Sequence, residues 1–265
     1  MKIAAYVGGI GVLGPGLGNW SDASAVLSGQ RRYESAPTVL PMPTLLPAAD
    51  RRRTGRVVKL ALAVALEATT RAAVDRARLA SVFSSSGADG HNCHEICQAL
   101  ALESREISPT RFANSVHNAA AGYWSIATGA HCASTVLCAF DASFCAGLLE
   151  ALAQVAVDAE PVLLIAYDTE YPEPLHAKRP IPDAFAVAMV LTPRPEPGSL
   201  ARIEASLGSE PVDSLTDPQL EGLRTSIPAA RCLPLLRRLA LREHGRTVLE
   251  YLDVSNTIVQ VDPCN

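Results

Sequence analysis

Short, nearly unbroken apolar runs recur along the chain at residues 3–7, 79–84, 135–139, 161–167 and 184–191. Runs of that length, bounded by Gly, Pro or Ser, predict buried strands. Longer segments between them carry apolar positions at helical spacing. Residues 55–77 form the clearest case, with Val57, Leu60, Ala61, Val64, Leu66 and Ala68 on one face and abundant alanine. Residues 89–102, 119–128 and 144–156 predict further helices. Asn19 or Ser21 is placed to cap a short helix reaching Leu27. The tail predicts a strand near 202–207, a helix near 230–242 and two strands within 249–261. The Gly- and Pro-rich stretch 8–18 reads as a turn, and 33–49, 109–112 and 172–182 read as loops. Strands alternating with amphipathic helices imply an α/β fold with a mostly parallel sheet flanked by helices. No repeat or long linker divides the chain.

Composition narrows the function classes. The 265 residues are 48% hydrophobic and 19% charged, which suits a globular domain with a sizeable core. The net charge of −4 supplies no basic field for nucleic acid or an anionic membrane. Arg51, Arg52, Arg53 and Arg56 cluster locally, as a solvated helix start or a contact for an anionic partner. The seven cysteines follow no signal peptide and no membrane span, so reduced thiols in the cytoplasm are expected.

Several motifs are weak when their context is weighed. Gly9, Gly11 and Gly14 match a dinucleotide-binding spacing, but the turn runs on through Pro15 and Gly18 instead of opening a helix. In HNCHEIC, Cys93, His94 and Cys97 share one side of a helix, with His91 just before them. No second ligand pair follows at metal-site spacing, and an interface helix is the simpler reading. His117 beside Asn118 suits a general base or a hydrogen-bonded loop histidine. Ser85 and Ser86 lack the surroundings of a serine nucleophile. No metal or cofactor is expected.

The segment 108–151, SPTRFANSVHNAAAGYWSIATGAHCASTVLCAFDASFCAGLLEA, is the most informative. It reads as loop, small-residue helix, strand, tight turn at 139–142 and second helix. A strand-to-helix turn exposes its side chain next to helix N–H groups, where a nucleophile or an anion is favoured. This arrangement resembles the nucleophile elbow of the β-ketoacyl synthases. Asn118, Ala121, Gly122, Ser125, Ile126 and Gly129 fall where that family has its Asn, Ala-Gly, helix and Gly. Phe140 takes the place of the Ala before the nucleophile, Asp141 that of the nucleophilic cysteine, and Ala142, Ser143 and Gly147 follow in step. AAYVGGIGVLGPGLGNW, LASVFSSSGADG, PVLLIAYD and DAFAVAMVLTP resemble other ketosynthase segments in the right order.

The resemblance implies a shortened thiolase-like domain over 1–265. Residues 1–193 correspond to the ketosynthase N-terminal half and 194–265 to an abbreviated C-terminal part. The family's two active-site histidines have no counterpart; after Pro193 the only histidine is His244, without glycine-rich surroundings. A carboxylate is a poor replacement for a thiolate. Cys138 and Cys145 are expected to face the interior of strand and helix. RRRTGRVVKLALAVALEA and SVHNAAAGYWSIATG look like the chain-length-factor branch of aryl polyene or xanthomonadin-type pigment clusters.

That branch implies a subunit inactive alone, forming a heterodimer with an active β-ketoacyl synthase that extends chains borne by an acyl carrier protein. No catalytic residue is then expected. Asp141 becomes a structural or tunnel residue whose carboxylate accepts helix N–H groups. Phe140, Asp141, Ala142, Ala88 and Asp89 become elbow and tunnel residues. Ser115, His117, Asn118, Tyr123, Trp124 and Val136 are expected to face the partner. The rival readings are a stand-alone acyl-thioester enzyme using Asp141, a carrier-protein docking scaffold, and a homodimeric protein binding a small apolar ligand.

Overall fold

The computed structural model describes residues 2–264. The strands are β1 (Ile3–Leu13), β2 (Ala80–Ser84), β3 (Ser134–Leu137), β4 (Val162–Asp168), β5 (Phe185–Thr192), β6 (Ala201–Gly208), β7 (Gly245–Leu252) and β8 (Ser255–Pro263). The helices are α1 (Trp20–Leu27), α2 (Ala48–Arg51), α3 (Arg56–Arg71), α4 (Gly90–Ala101), α5 (Pro109–Ala113), α6 (Ala119–Thr128), α7 (Ser143–Asp158), α8 (Pro218–Ser226) and α9 (Leu233–Leu241). All eight strands form one sheet in the order β3-β2-β4-β5-β1-β6-β8-β7.

The sheet is mixed. Only β2–β3 and β2–β4 run parallel; the other neighbouring pairs are antiparallel. The expectation of a mostly parallel sheet therefore holds at one end alone. Parallel neighbours need a long crossover: the segment carrying α4, α5 and α6 supplies it between β2 and β3, and α7 returns the chain from β3 past β2 to β4. No helix lies between β4 and β5 or between β7 and β8, and those strands fold back antiparallel. The tail, which had no assigned place, extends the sheet: β6 pairs with the outer edge of β1 from Ile3↔Ala205 to Val7↔Ala201.

Helices cover both faces. Along β4, Val162, Leu164 and Ala166 join the core that holds α1, α7 and α9. Leu163, Ile165 and Tyr167 join the opposite core, under α3 and α6. The period-two alternation of a strand buried on both faces assigns these sides. The 8–18 stretch is strand, not turn, as far as Leu13. A side chain at Gly9 would collide with the Ala68 carbonyl, and one at Gly11 with the Val64 carbonyl. The glycines let α3 lie directly on β1. The expected loop at 109–112 is the short helix α5, with Pro109 in its first turn. The stretch Phe140–Asp158 is long and apolar enough to cross a membrane by composition. It contains α7, which packs Phe144, Leu148, Leu152 and Val155 into the core.

Candidate functional site at the elbow

β3 ends at Leu137, a tight 3-10 turn occupies Phe140–Ala142, and α7 begins at Ser143. The Ser143 hydroxyl fixes the turn: it accepts from the Ala139 N–H at 3.0 Å and donates to the Phe140 carbonyl at 2.6 Å. Behind it the Ser84 hydroxyl donates to the Ser143 carbonyl. A side chain at Gly147 would press on Ser84, so this glycine lets α7 sit close to β2. Phe140 adopts a left-handed backbone, φ 51°, which costs a side-chain-bearing residue about 1–2 kcal/mol. Its ring is 63% exposed and lies under the Arg179 guanidinium, 3.8 Å from the ring centroid. Ala142 is buried beneath the turn.

The Asp141 carboxylate does not accept helix N–H groups. It lies between two arginines: Arg179 Nη2 donates to Oδ1 at 2.6 Å and Arg231 Nη2 to Oδ2 at 3.3 Å. Two guanidiniums outcompete the partial charge of a helix end. The network continues from Arg231 to Glu250 at 3.2 Å, from Glu250 to Arg224 at 3.6 Å, and from Arg224 to Glu221 at 2.6 Å. The Arg224 hydrogen bond holds the Glu221 carboxyl below its usual range. Asp141, Arg179, Ile181, Ser226, Pro228 and Arg231 line a cleft of about 290 Å³.

A second carboxylate braces the site. Asp168 is buried, and its oxygens accept from the Ser86 N–H at 2.8 Å, the Ser86 hydroxyl at 2.6 Å and the Ala229 N–H at 2.8 Å. Burial pushes its carboxyl up to about 6, against the opposing pull of those donors and of Arg179.

Each oxygen of the Asp141 carboxylate accepts from one guanidinium, which engages lone pairs that a nucleophile would need free. No histidine lines its cleft. His244 is on the surface, paired with Asp262 at 2.8 Å. Cys145 is buried and its thiol is pushed up to about 12, chiefly by desolvation. Cys138, expected inside, is exposed; it follows the end of β3, the sheet's outermost strand, where no neighbouring strand lies alongside. Among the described residues no three His, Cys, Asp or Glu side chains are grouped to hold a metal ion.

The other sequence-selected residues separate into groups. Ala88 and Asp89 share a small recess with Asn114, Val116 and His117, away from the Asp141 cleft. Asp89 caps α4 by accepting from the Asn92 N–H at 2.9 Å. Ser115 and Asn118 are exposed, and Tyr123 is half-buried with its hydroxyl donating to Asn114 at 3.1 Å. Val136 is half-buried against the α3 side of the sheet. Trp124 is a correction: it is 1% exposed, a core residue of α6 that cannot reach a partner. Its helix position puts the large ring on the face that meets α3. Arg179, Arg231 and Asp168 escaped sequence reasoning. The arginines lie 38 and 90 residues beyond Asp141, and no local pattern links them to it.

Residues 20–241 match the family described as "Beta-ketoacyl synthase, N-terminal domain". No curated protein sequence matches this chain. Among solved structures, the chain is similar to one from the complex of a ketosynthase (ApeO) with its chain length factor (ApeC) from Xenorhabdus doucetiae. That match has 24% identity, covers 97% of this chain and 99% of that chain, and has a TM-score of 0.73. The structure of AntDE:AntF, a type II PKS acyl-carrier protein in complex with its ketosynthase, gives 10% identity, full coverage of both chains and a TM-score of 0.75. The ishigamide ketosynthase/chain length factor gives 10% identity, coverage of 99% and 100%, and a TM-score of 0.73. With a thiolase-like sheet, a strand-to-helix elbow in the right place and a family match over most of its length, the chain belongs to the β-ketoacyl synthase N-terminal domain family.

Proposed function

We propose that this protein is a non-catalytic chain-length-factor subunit that pairs with an active β-ketoacyl synthase. The pair extends chains carried by an acyl carrier protein, in polyene or polyketide synthesis in the cytoplasm. The observation that carries this reading is the elbow. Where the family has its cysteine, this chain has Asp141, clasped by Arg179 and Arg231 with no histidine in its cleft. Such a site has neither the thiolate nor the histidines of a condensing enzyme.

The surface supports a partner. β3 is the outermost strand and pairs with β2 alone, so its other edge is unpaired among the described residues. An open edge is ordinarily covered. Leu102, Phe112, Val116 and Ile126, on and around α4, α5 and α6, are each more than half exposed. His117 Nε2 is buried without a hydrogen-bond partner. Exposed apolar side chains and an open strand edge are each surfaces of the kind a subunit interface would bury. Ser115, Asn118 and Tyr123 belong to the same segment. A second polar recess is lined by Arg52, Arg53, Arg56 and Arg111 together with Asp89; Arg56 and Arg111 are paired with Glu170 and Glu95, and Arg52 and Arg53 are proposed to meet the phosphodiester of a carrier's arm. Phe140, Ala142, Ala88 and Asp89 are proposed as tunnel residues.

Co-expression with an active β-ketoacyl synthase from the same source, followed by size exclusion, tests the reading. A one-to-one complex is expected, abolished by Ile126→Asp together with Phe112→Asp. The isolated chain is expected to turn over no acyl thioester, and neither is its Asp141→Ala variant. A monodisperse chain that ignores the ketosynthase, or one that turns over thioester alone, overturns it.

A further inference from the structure

The segment between α1 and α2 is pinned at one end and arched in the middle. The Tyr33 hydroxyl donates to the Pro15 carbonyl at 2.9 Å, and the Ala36 carbonyl accepts from the Gly16 N–H at 2.9 Å. The Thr38 N–H donates to Asp183 and its hydroxyl to the Ala184 carbonyl, both at 2.8 Å. Leu46, 2% exposed, anchors the far end in the α3-side core. Between these points Val39 and Met42 are 80% and 59% exposed, although both line a cleft against α3.

That cleft measures about 500 Å³, within the range of small-molecule sites, and most of its lining is apolar, including Leu13, Leu45, Leu62 and Leu66. It shares no lining residue with the Asp141 cleft. Two charged residues, Glu67 and Lys59, contribute to it. Glu67 is fully engaged: it accepts from the Val12 N–H at 3.1 Å, the Trp20 N–H at 2.8 Å and Arg71 Nε at 3.0 Å. Lys59 is half-buried and has no carboxylate within 4.0 Å among the described residues. The cleft thus joins an aliphatic wall to one uncompensated ammonium, the complement of an amphiphile with an anionic head.

We propose that this cleft binds a free single-chain aliphatic carboxylate, its chain against Leu62 and Leu66 under the 39–45 arch and its carboxylate on Lys59. The proposal is independent of the elbow and of any partner.

Decanoate and uncharged 1-decanol, each titrated into the full chain by calorimetry below their aggregation limits, test it. Saturable binding of decanoate at one site is expected. Lys59→Met should weaken decanoate about tenfold or more and leave decanol unchanged, because only the charge-assisted contact is lost. Ala63→Phe, from a half-buried position of α3 lining the cleft, should abolish both by filling the space. Thermal melts confirm that each variant is folded; if Ala63→Phe is not, Lys59→Met decides alone. No saturable decanoate binding, binding unmoved by Ala63→Phe, or equal affinity for decanoate and decanol with no effect of Lys59→Met overturns the proposal.

Discussion

Asp141 stands at the strand-to-helix turn, and Arg179 and Arg231 make it a counter-ion. Arg179 and Arg231 keep 18% and 13% of their side chains exposed, so their charges depend on a partner. Asp141→Ala leaves Arg179 without a carboxylate partner among the described residues and Arg231 with Glu250 alone. The carboxylate is itself partly solvated, which reduces the cost, and a loss of about 1–3 kcal/mol is expected in urea unfolding. Asp141→Cys should cost as much and restore no condensing activity, since the thiol would meet two arginines and no histidine. Asp168 gives a prediction in pH. Its folded carboxyl is raised to about 6 from an ordinary 3.8, so the folded state binds the extra proton between those values. Its contribution is therefore most favourable below about pH 4 and is lost as pH rises through 6. Asp168→Asn removes that dependence and, with its oxygen kept on Ser86, turns an amide NH2 donor toward the Ala229 N–H, lowering stability at pH 7 by about 1–3 kcal/mol. Urea midpoints at pH 4.5 and 7 distinguish the two effects. If the wild-type midpoint shows no downward contribution across this window relative to the variant, the assignment of the titration to Asp168 is wrong.

Among the elements, legibility followed periodicity. β4 and β5 are continuous apolar runs buried on both faces, and α3 and α6 show a helical face, so they were readable within a residue or two apart from α3, whose expected end lay six residues too far. The elbow was equally readable, because a strand, a small-residue turn and an apolar helix follow one another locally. What misled was glycine. Gly8, Gly9, Gly11 and Gly14 resemble a turn from the sequence alone, whereas Gly9 and Gly11 serve contact between β1 and α3, a tertiary fact. α8 went unread for a related reason: its polar, glycine-containing sequence has little apolar stripe, and Asp217, accepting from the Gln219 and Leu220 N–H groups, starts it. Strand direction was unreadable wherever it depended on which strands became neighbours. Gly11→Ala tests the packing account. One methyl group there must displace the Val64 carbonyl from β1, and a loss of about 2–3 kcal/mol is expected, at the upper range for an overpacked core. Gly18→Ala is a control, since only the Asp22 carboxylate lies near, at 3.5 Å. Equal melting temperatures for the two variants would refute the close-contact explanation.

At the scale of the whole molecule, the family match over 20–241 runs past Pro193, and the contacts of the tail predict that residues 1–193 do not fold alone. β1 is a central strand only because β6 covers its outer edge, and β6 brings β8 and β7 with it. The 3-10 turn at Pro228–Cys232 supplies both Arg231 to Asp141 and the Ala229 N–H to Asp168. α9 adds Leu233, Leu235, Leu236 and Leu239 to the core that holds α7. Ending the chain after Pro193 therefore opens a long strand edge, uncovers one side of the elbow helix and leaves two carboxylates without their tail-borne partners. Each defect is of a kind that exposes apolar surface or unpaired backbone, and a small α/β sheet has little stability to lose. The fragment 1–193 is expected to be insoluble, or to unfold without a cooperative urea transition, while the full chain shows a single one. A soluble fragment with a cooperative transition and native-like near-ultraviolet circular dichroism would mean that the tail is an appendage to a complete half-domain, and that the arginine-clasped elbow owes its geometry to residues 1–193 alone.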